Sequence, residues 1–480
     1  MCTTRLLATL VVLLFASEAR AEDLTLKRLW QTQLPGGGGS SPRVLDLEGD
    51  GTPEIAVGGG HMGQGGAAAV VDAKTGKVRW RRRFKDELYA TPHLLDVNGD
   101  GVQDVLTGGR TLDFYALDGK TGKTLWSLRQ KNRNTARLNF NGAVPLPDLD
   151  GDGVAELLLS QGGSYDDEHR LVGRSLVVRG ASGKLLAKQR SADKKEIYTF
   201  PAYEEAGGGP RAILGSGGWT LPGHLFAVSV PSWEEQWRLP SPGRGFVSSP
   251  SLFDLRAPGA TEPLLDVVAI DFDANLLRVD GRSGEVVWTV KNEGFETTST
   301  PAPGRFGGDA TVDVVAAISR GKLPVYEDHA EVIWVDGATG AVLERKTVGV
   351  YIQASPVTVD LNGDGLDETL VISNGGPNPL EFGGTLHVFD GGPGKKELLQ
   401  QKLDRFSACT PWLGDLDGDG KLDLILAHYT HLERWELSGP GAVRWGQFRG
   451  PHFTGSDGPP PAGPPPAAPA APAAPEAAAP

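Results

Sequence analysis

Cysteine is nearly missing: the 480 residues hold two, Cys2 and Cys409, and only two methionines. Cys2 lies in a segment that reads as a leader, so the mature chain keeps one thiol and no intramolecular disulfide can form. Positive charge is also in deficit. The 47 Lys and Arg face 60 Asp and Glu, a net charge of −13. This excludes a nucleic-acid partner, because phosphate binding needs a basic face. No run beyond the leader is apolar enough to cross a bilayer, and helical periodicity is absent. There is no G-x-S-x-G elbow and no zinc-type spacing among nine scattered histidines. An exported chain of this size without disulfides needs another staple, or a core that suffices.

Glycine and proline are abundant, at 66 and 35 residues, in a turn-rich globular composition. Arg5, the apolar run Leu6–Ala16 and Ala19-Arg20-Ala21 read as a secretory signal over residues 1–21. That implies a periplasmic, extracellular or cell-surface protein. Residues 456–480, almost wholly Pro and Ala after Gly458, read as an extended tail that buries no core. Residues 22–455 carry a repeat with a period of roughly fifty residues. Each unit has a small-residue–Pro lead-in, a turn, an apolar strand such as "EIAVGG", then strand, Gly turn, strand, as in "FYALDGKTGKTLW". Eight units fit between Ser40 and about Gly450. Four antiparallel strands repeated at that period predict an all-β, eight-bladed propeller, with seven blades as the alternative. "LTLKRLWQTQ" at Leu24–Gln33 resembles the last strand of the other units and is expected to close the ring.

Five units hold an acidic ladder in the first turn: Asp46, Glu48, Asp50, Thr52, Glu54; Asp96, Asn98, Asp100, Val102, Asp104; Asp148, Asp150, Asp152, Val154, Glu156; Asp360, Asn362, Asp364, Leu366, Glu368; and Asp415, Asp417, Asp419, Lys421, Asp423. Oxygen side chains fall at positions 1, 3, 5 and 9, glycine at 6, and position 7 offers its carbonyl. A hard cation that takes six to eight oxygens in flexible geometry suits this set, so about five Ca2+ sites are expected. The closing acid comes at position 9 rather than 12, and the flanks are strands, so the turns are not EF-hands. Units four, five and six lack the ladder and are expected to hold no ion.

The pattern D-x-[DEN]-x-D-G-x-x-[DE] before an apolar strand resembles the FG-GAP, or VCBS-type, repeats of the integrin α-chain propeller and of many exported bacterial proteins. That resemblance implies calcium in the acidic turn. In the other half of each unit, "ALDGKTGKTLW" at Ala116–Trp126 resembles the tryptophan-docking motif of pyrroloquinoline-quinone (PQQ) propellers. Trp80, Trp126, Trp237, Trp288 and, more weakly, Trp445 match its tryptophan. This second likeness implies eight blades and interblade packing, not a quinone. "WGQFRGPHFTG" at Trp445–Gly455 also resembles a segment found in exported propellers.

Quinoprotein dehydrogenases use adjacent cysteines, and Cys409 stands alone, which disfavours that enzyme. A buried, inert thiol is expected there. The expectation is a non-catalytic, monomeric, adhesion-type module that binds a protein or glycan on a propeller face. The alternatives are a polysaccharide lyase, a glycosidase or a PQQ-dependent dehydrogenase. Insertions at 129–142, 161–173, 319–331 and 373–384 are candidate binding loops. The basic run "RWRRRFK" at Arg79–Lys85 reads as a guarded outer strand or a docking strip.

Overall fold

The computed structural model describes residues 24–34, 39–61, 63–110, 113–129, 138–162, 172–205, 209–256, 264–309, 311–323, 325–377, 383–452 and 454–456. The expected leader at 1–21, nearly all of the expected tail at 456–480 and most of the insertions at 129–142 and 161–173 lie outside them.

Each repeat unit becomes one antiparallel sheet, and eight sheets form the ring. Blade 1 is Arg43–Leu45, Glu54–His61, Gly65–Asp72 and Val78–Phe84, in that order from axis to rim. Blades 2 to 5 repeat the order over His93–Arg129, Asn139–Arg190, Ala202–Pro240 and Ser251–Val290. Blade 6 spans Phe295–Val348 and blade 7 Val357–Leu403. The middle strands are buried on both faces because each blade is sandwiched between two others. Glu54–Gly60 and Leu157–Gly162 are wholly buried, which explains their unbroken apolar runs. No helix occurs among the described residues.

Closure is as expected. Blade 8 takes Trp412–Gly414, Leu422–Ala427 and His431–Leu437 from the end of the chain and Leu26–Gln33 from its beginning, paired antiparallel from Leu26 with Leu437 to Gln33 with His431.

Two repeated devices bind blade to blade. At the rim, an outer-strand tryptophan docks on the next blade's glycine turn. Trp80, Trp126, Trp237 and Trp288 donate their indole N–H to the carbonyls of Gly119, Gly180, Gly281 and Gly337 at 2.6–2.9 Å. Each ring covers a turn glycine with positive φ, such as Gly122 under Trp80, where a Cβ would lie 2.5 Å from the ring. Around the axis, the lead-in hydroxyls form a chain. Thr410 N donates to Ser41 Oγ, Ser41 N to Thr91 Oγ1, Phe200 N to Ser249 Oγ, Ser249 N to Thr300 Oγ1, Thr300 N to Ser355 Oγ and Ser355 N to Thr410 Oγ1, at 2.9–3.3 Å. The small-residue–Pro signature thus marks positions where one blade's hydroxyl accepts from its neighbour's backbone, each bond contributing about 1 kcal/mol.

Trp445 departs from expectation. The segment Ser438–Gly441 would have to lead into an outer strand of blade 8, but Leu26–Gln33 already fills that place. Ala442–Trp445 instead pairs with Val357–Asp360, the innermost strand of blade 7, and so runs inside the ring. The docking tryptophan of blade 8 is Trp30, whose indole reaches Ala73 O at 3.0 Å and covers Gly76. The insertion at 319–331 also differs. It lengthens the central hairpin of blade 6, Asp313–Lys322 against Val325–Val335, rather than forming an irregular loop.

Candidate functional site

Strand direction sorts every connection onto one of two faces. First-to-second and third-to-fourth strand turns share one face, which holds the acidic ladders and the T-G turns. Second-to-third connections and the crossings to the next blade share the other. All four insertions singled out in the sequence spring from that second face.

The five acidic turns have the same internal bonding. The position-1 carboxylate accepts from the glycine N–H at position 6: Gly51 to Asp46, Gly101 to Asp96, Gly153 to Asp148, Gly365 to Asp360 and Gly420 to Asp415, at 2.7–3.0 Å. The position-5 carboxylate accepts from the N–H of position 7, namely Thr52, Val102, Val154, Leu366 and Lys421. The closing acid, buried, accepts from the N–H of position 2 in all five turns: Leu47, Val97, Leu149, Leu361 and Leu416. These bonds curl each chain around its own carboxylates.

The turns differ in how closely their oxygens gather. Among the described residues, Asp148, Asp150, Asp152 and Glu156 bring one oxygen each within 4.8 Å of one another, and so do Asp415, Asp417 and Asp419. The ladders at Asp46, Asp96 and Asp360 do not bring three carboxylates that close. They differ also in their cations. Arg79 reaches Glu54 at 2.5 Å and Glu48 at 3.5 Å; Arg179 reaches Asp150 at 2.5 Å; Arg434 reaches Asp417 at 2.6 Å and Asp423 at 2.7 Å. These three turns are the ones with four acids. The turns at Asp96 and Asp360 have an asparagine at position 3 and three acids, and no salt bridge involves their ladder acids among the described residues. Burial pushes their closing carboxyls highest, Asp104 up to about 6 and Glu368 up to about 7. Glu156 is fully buried, and its Oε1 has no hydrogen-bond partner. A divalent ion would meet all of these needs.

The ladder-free turns are neutralised from within. Arg211 pairs with Glu204 in blade 4, and Arg278 reaches Asp266 at 2.7 Å in blade 5. In blade 6, Asp313 accepts from Phe306 N, Gly307 N and Gly337 N.

The opposite face carries aromatic side chains from successive blades. Tyr198 meets Trp219 edge-on at 6.4 Å, and Trp219 meets Phe272 at 4.8 Å. The Arg244 guanidinium lies 4.5 Å over Phe272, bonds Asp273 Oδ1 at 2.9 Å and Glu296 Oε1 at 2.6 Å, and donates to Trp219 O. Tyr326 packs on Tyr351 at 4.8 Å, and Tyr351 stacks on Phe406 at 6.2 Å. Across blades 8 and 1, Tyr429 meets His61 at 5.7 Å. Arg110 pairs with Glu87 at 2.9 Å and lies 5.4 Å over Tyr89. Sequence reasoning missed this ring, since each member is a single residue on a different blade. One signal was available: five of the chain's eight tyrosines, at 89, 198, 326, 351 and 429, fall just before a lead-in or at the connection of second and third strands, Tyr326 being the second residue of its third strand.

The channel between the faces is filled by the chain itself. After Trp445 it turns at Gln447–Gly450 and returns beside blades 4 and 5, where Tyr203 N donates to Thr454 O and Leu252 N to Gly455 O. Trp445, Arg449, Thr454 and Ser456 are buried. Trp445 packs edge-on against Phe253 at 5.3 Å, Phe448 against Phe200 at 5.2 Å, and Arg449 donates to Pro201 O. Blade 3 has Asn141-Gly142 where most others have Ser/Thr-Pro, and the missing Cβ of Gly142 leaves the space taken by Phe200. Cys409 is buried as expected, its thiol pushed up to about 12 by desolvation. The arginine-rich outer strand Val78–Phe84 is only partly free: Arg79 serves the acidic turn, and Arg82 donates to Gly122 O at 3.1 Å.

Comparison with known proteins corrects the family expectation. The family model that matches is described as outer membrane protein assembly factor BamB, over residues 19–196. FG-GAP or VCBS-type repeats find no support. The rim carries the likeness that agrees with this match: tryptophans of blades 1, 2, 4, 5 and 8 dock on the turn of the next blade. No curated protein matches by sequence. Among solved structures, quinohemoprotein alcohol dehydrogenase ADHIIG from Pseudomonas putida HK5 is similar at TM-score 0.60 and 12% identity, covering 87% of this chain and 76% of its own. The quinohemoprotein alcohol dehydrogenase of Comamonas testosteroni gives 0.56, 11%, 86% and 76%. BamB from Moraxella catarrhalis gives 0.51, 11%, 86% and 98%. At such identities the likeness shows a shared propeller fold.

Proposed function

We propose that this chain is an exported binding propeller, not a catalyst, which takes a protein or glycan on its aromatic face and calcium in the turns of its acidic face. The observation that carries the reading is the ring of half-buried tyrosines and arginines on the face from which the insertions spring, above a channel stoppered by Trp445–Ser456. Tyr, Trp and Arg are the residues that carry most binding energy at interfaces, and loops on a rigid scaffold are where such sites form. The BamB-type match supports a protein partner and an exported setting. No helix among the described residues is long and apolar enough to cross a membrane.

The quinone implied by the dehydrogenase neighbours does not fit the residues present. The adjacent cysteines have no counterpart, the single thiol is buried, and the axial channel is occupied by the protein's own segment. No step through a quinone is derived. Calcium does fit. The eighteen ladder carboxylates would supply the oxygens and the position-7 residues their carbonyls. The ion would supply charge neutralisation and cross-linking of the turn, not chemistry.

The test pairs two measurements on the secreted protein. Cell-envelope fractions are passed over immobilised wild type, Tyr326→Ala and Asp150→Asn. Retention lost in Tyr326→Ala and kept in Asp150→Asn is expected; the reverse pattern sinks the reading. Addition of PQQ and calcium with an alcohol and a redox dye should give no turnover, and sustained dye reduction would overturn the non-catalytic assignment.

A further inference from the structure

We infer that the ligand of the aromatic face is an uncharged saccharide chain, an assignment that rests on the binding reading above. Three features of that face fix the chemistry. First, aromatic residues of that face at Tyr89, Tyr198, Trp219 and Tyr326 are half-buried, held by the fold but not sealed in the core as Phe272, Tyr351 and Phe406 are. They recur from blade to blade rather than merging into one apolar patch. A pyranose presents an apolar C–H face to a ring and hydroxyls to its sides, and an aromatic with a polar neighbour suits both.

Second, planar bidentate groups stand beside the rings and are already fixed. Arg244 is held by Asp273, Glu296 and the Trp219 carbonyl, with Glu296 itself 1% exposed. Glu296 also accepts from Leu323 N at 2.8 Å, which locks its carboxylate between two blades. Arg110 is held by Glu87 in the same manner. Most N–H groups of Arg244 are taken by these partners, so sugar hydroxyls would meet the spare oxygen valences of the fixed carboxylates, and pre-organised groups lose little entropy on binding.

Third, the charges cancel locally. Arg110 faces Glu87, Arg244 and the charge of nearby Lys322 face Asp273 and Glu296, and Arg320 faces Glu327 at 2.9 Å, four cations against four acids. No surplus cation among these pairs awaits a phosphate or an acidic peptide, although the chain as a whole is acidic. A neutral, hydroxylated ligand is what the balance favours. A protein partner would have to bury these ion pairs in a dry interface, where desolvation offsets their attraction.

The test uses full secreted protein and five uncharged hexasaccharides as probes: maltohexaose, cellohexaose, chitohexaose, mannohexaose and xylohexaose, followed by tryptophan fluorescence and calorimetry. Binding of at least one, weakened roughly tenfold or more by Trp219→Ala and by Tyr326→Ala but unchanged by Lys188→Ala on the exposed outer strand of blade 3, is the expected result. Melting curves confirm that each variant is folded, and Tyr326→Phe serves as the mild alternative if Tyr326→Ala is not. No binding by any hexasaccharide to folded protein overturns the saccharide assignment. If the two aromatic variants then still lose retention of an envelope protein, the face is a protein-docking surface and only the ligand class was wrong. If they lose nothing in either assay, the binding reading falls with it.

Discussion

The two faces of the ring are built on opposite plans. The face of the acidic turns is made by repetition: one nine-residue pattern, five times, with the same three backbone bonds to its carboxylates each time. The aromatic face is made by convergence, since no blade repeats its neighbour there: Trp219 of blade 4, Arg244 of the crossing to blade 5 and Glu296 of blade 6 meet through single contacts. Repetition serves stability, because every blade faces the same packing problem. Convergence suits the recognition proposed for that face, because a ligand is read by differences between positions. Removing calcium is expected to separate the faces most. At free calcium about a hundredfold above its dissociation constant, each filled site adds about 2.7 kcal/mol, so several sites together lower the melting temperature sharply on chelation. Hydrogen exchange should show the loss in the turns of blades 1, 2, 3, 7 and 8, which are contiguous through the closure. Exchange that rises first in blades 4 to 6 would break the comparison.

The stopper between the faces gives the next largest effect. Trp445 is 1% exposed and packed on Phe253, in the cluster that joins blades 5, 6 and 7. Trp445→Ala should cost about 3–5 kcal/mol, the usual range for a buried tryptophan. Trp30→Ala, at a half-buried rim position, should cost less. Denaturant melts of both variants decide it. A smaller loss for Trp445→Ala than for Trp30→Ala would mean that the axial segment is a loose occupant rather than part of the core.

How much of this was legible depends on the same contrast. The eight blades, the closing strand Leu24–Gln33 and the five ladders could be read because a period makes each weak signal count several times over. Trp445 was misplaced because its surroundings, "GAVRW", copy an outer strand locally; only the prior claim of Leu26–Gln33 on blade 8 forces it inward, and that competition is three-dimensional. The family was misread because the ladder is the louder motif, although docked tryptophans occur in as many blades, five of the eight. The aromatic ring was legible only in the placement of its tyrosines, since Glu296 and Arg244 are 52 residues apart and carry no motif.

Within the acidic face the arginines allow a finer test. Turns with four acids have an arginine and turns with three have none, so the charge offered to an ion is about −3 in the turns at Asp96, Asp148 and Asp360 alike. Arg179 already pairs with one of the carboxylates proposed for calcium, 2.5 Å from Asp150. Arg179→Met should therefore tighten calcium at blade 3 by roughly tenfold, about 1.4 kcal/mol, while lowering stability in chelator. Isothermal titration against wild type measures it. Weaker binding in the variant would show that Arg179 orders the turn for the ion rather than competing with it.

The smallest stability effect belongs to the aromatic face, and its smallness is the point. Trp219 is half-buried and touches Tyr198 and Phe272 at its edges. It closes no rim contact and fills no channel. Its truncation should cost no more than about 1 kcal/mol, in the range of an aromatic pair at a partly exposed site. Melts with and without calcium should shift by the same small amount, because nothing links Trp219 to the ladders. A loss of several kcal/mol would place Trp219 in the core and move it from the recognition plan to the stability plan. A small loss together with lost ligand binding would leave the faces as independent as their sequences are unlike.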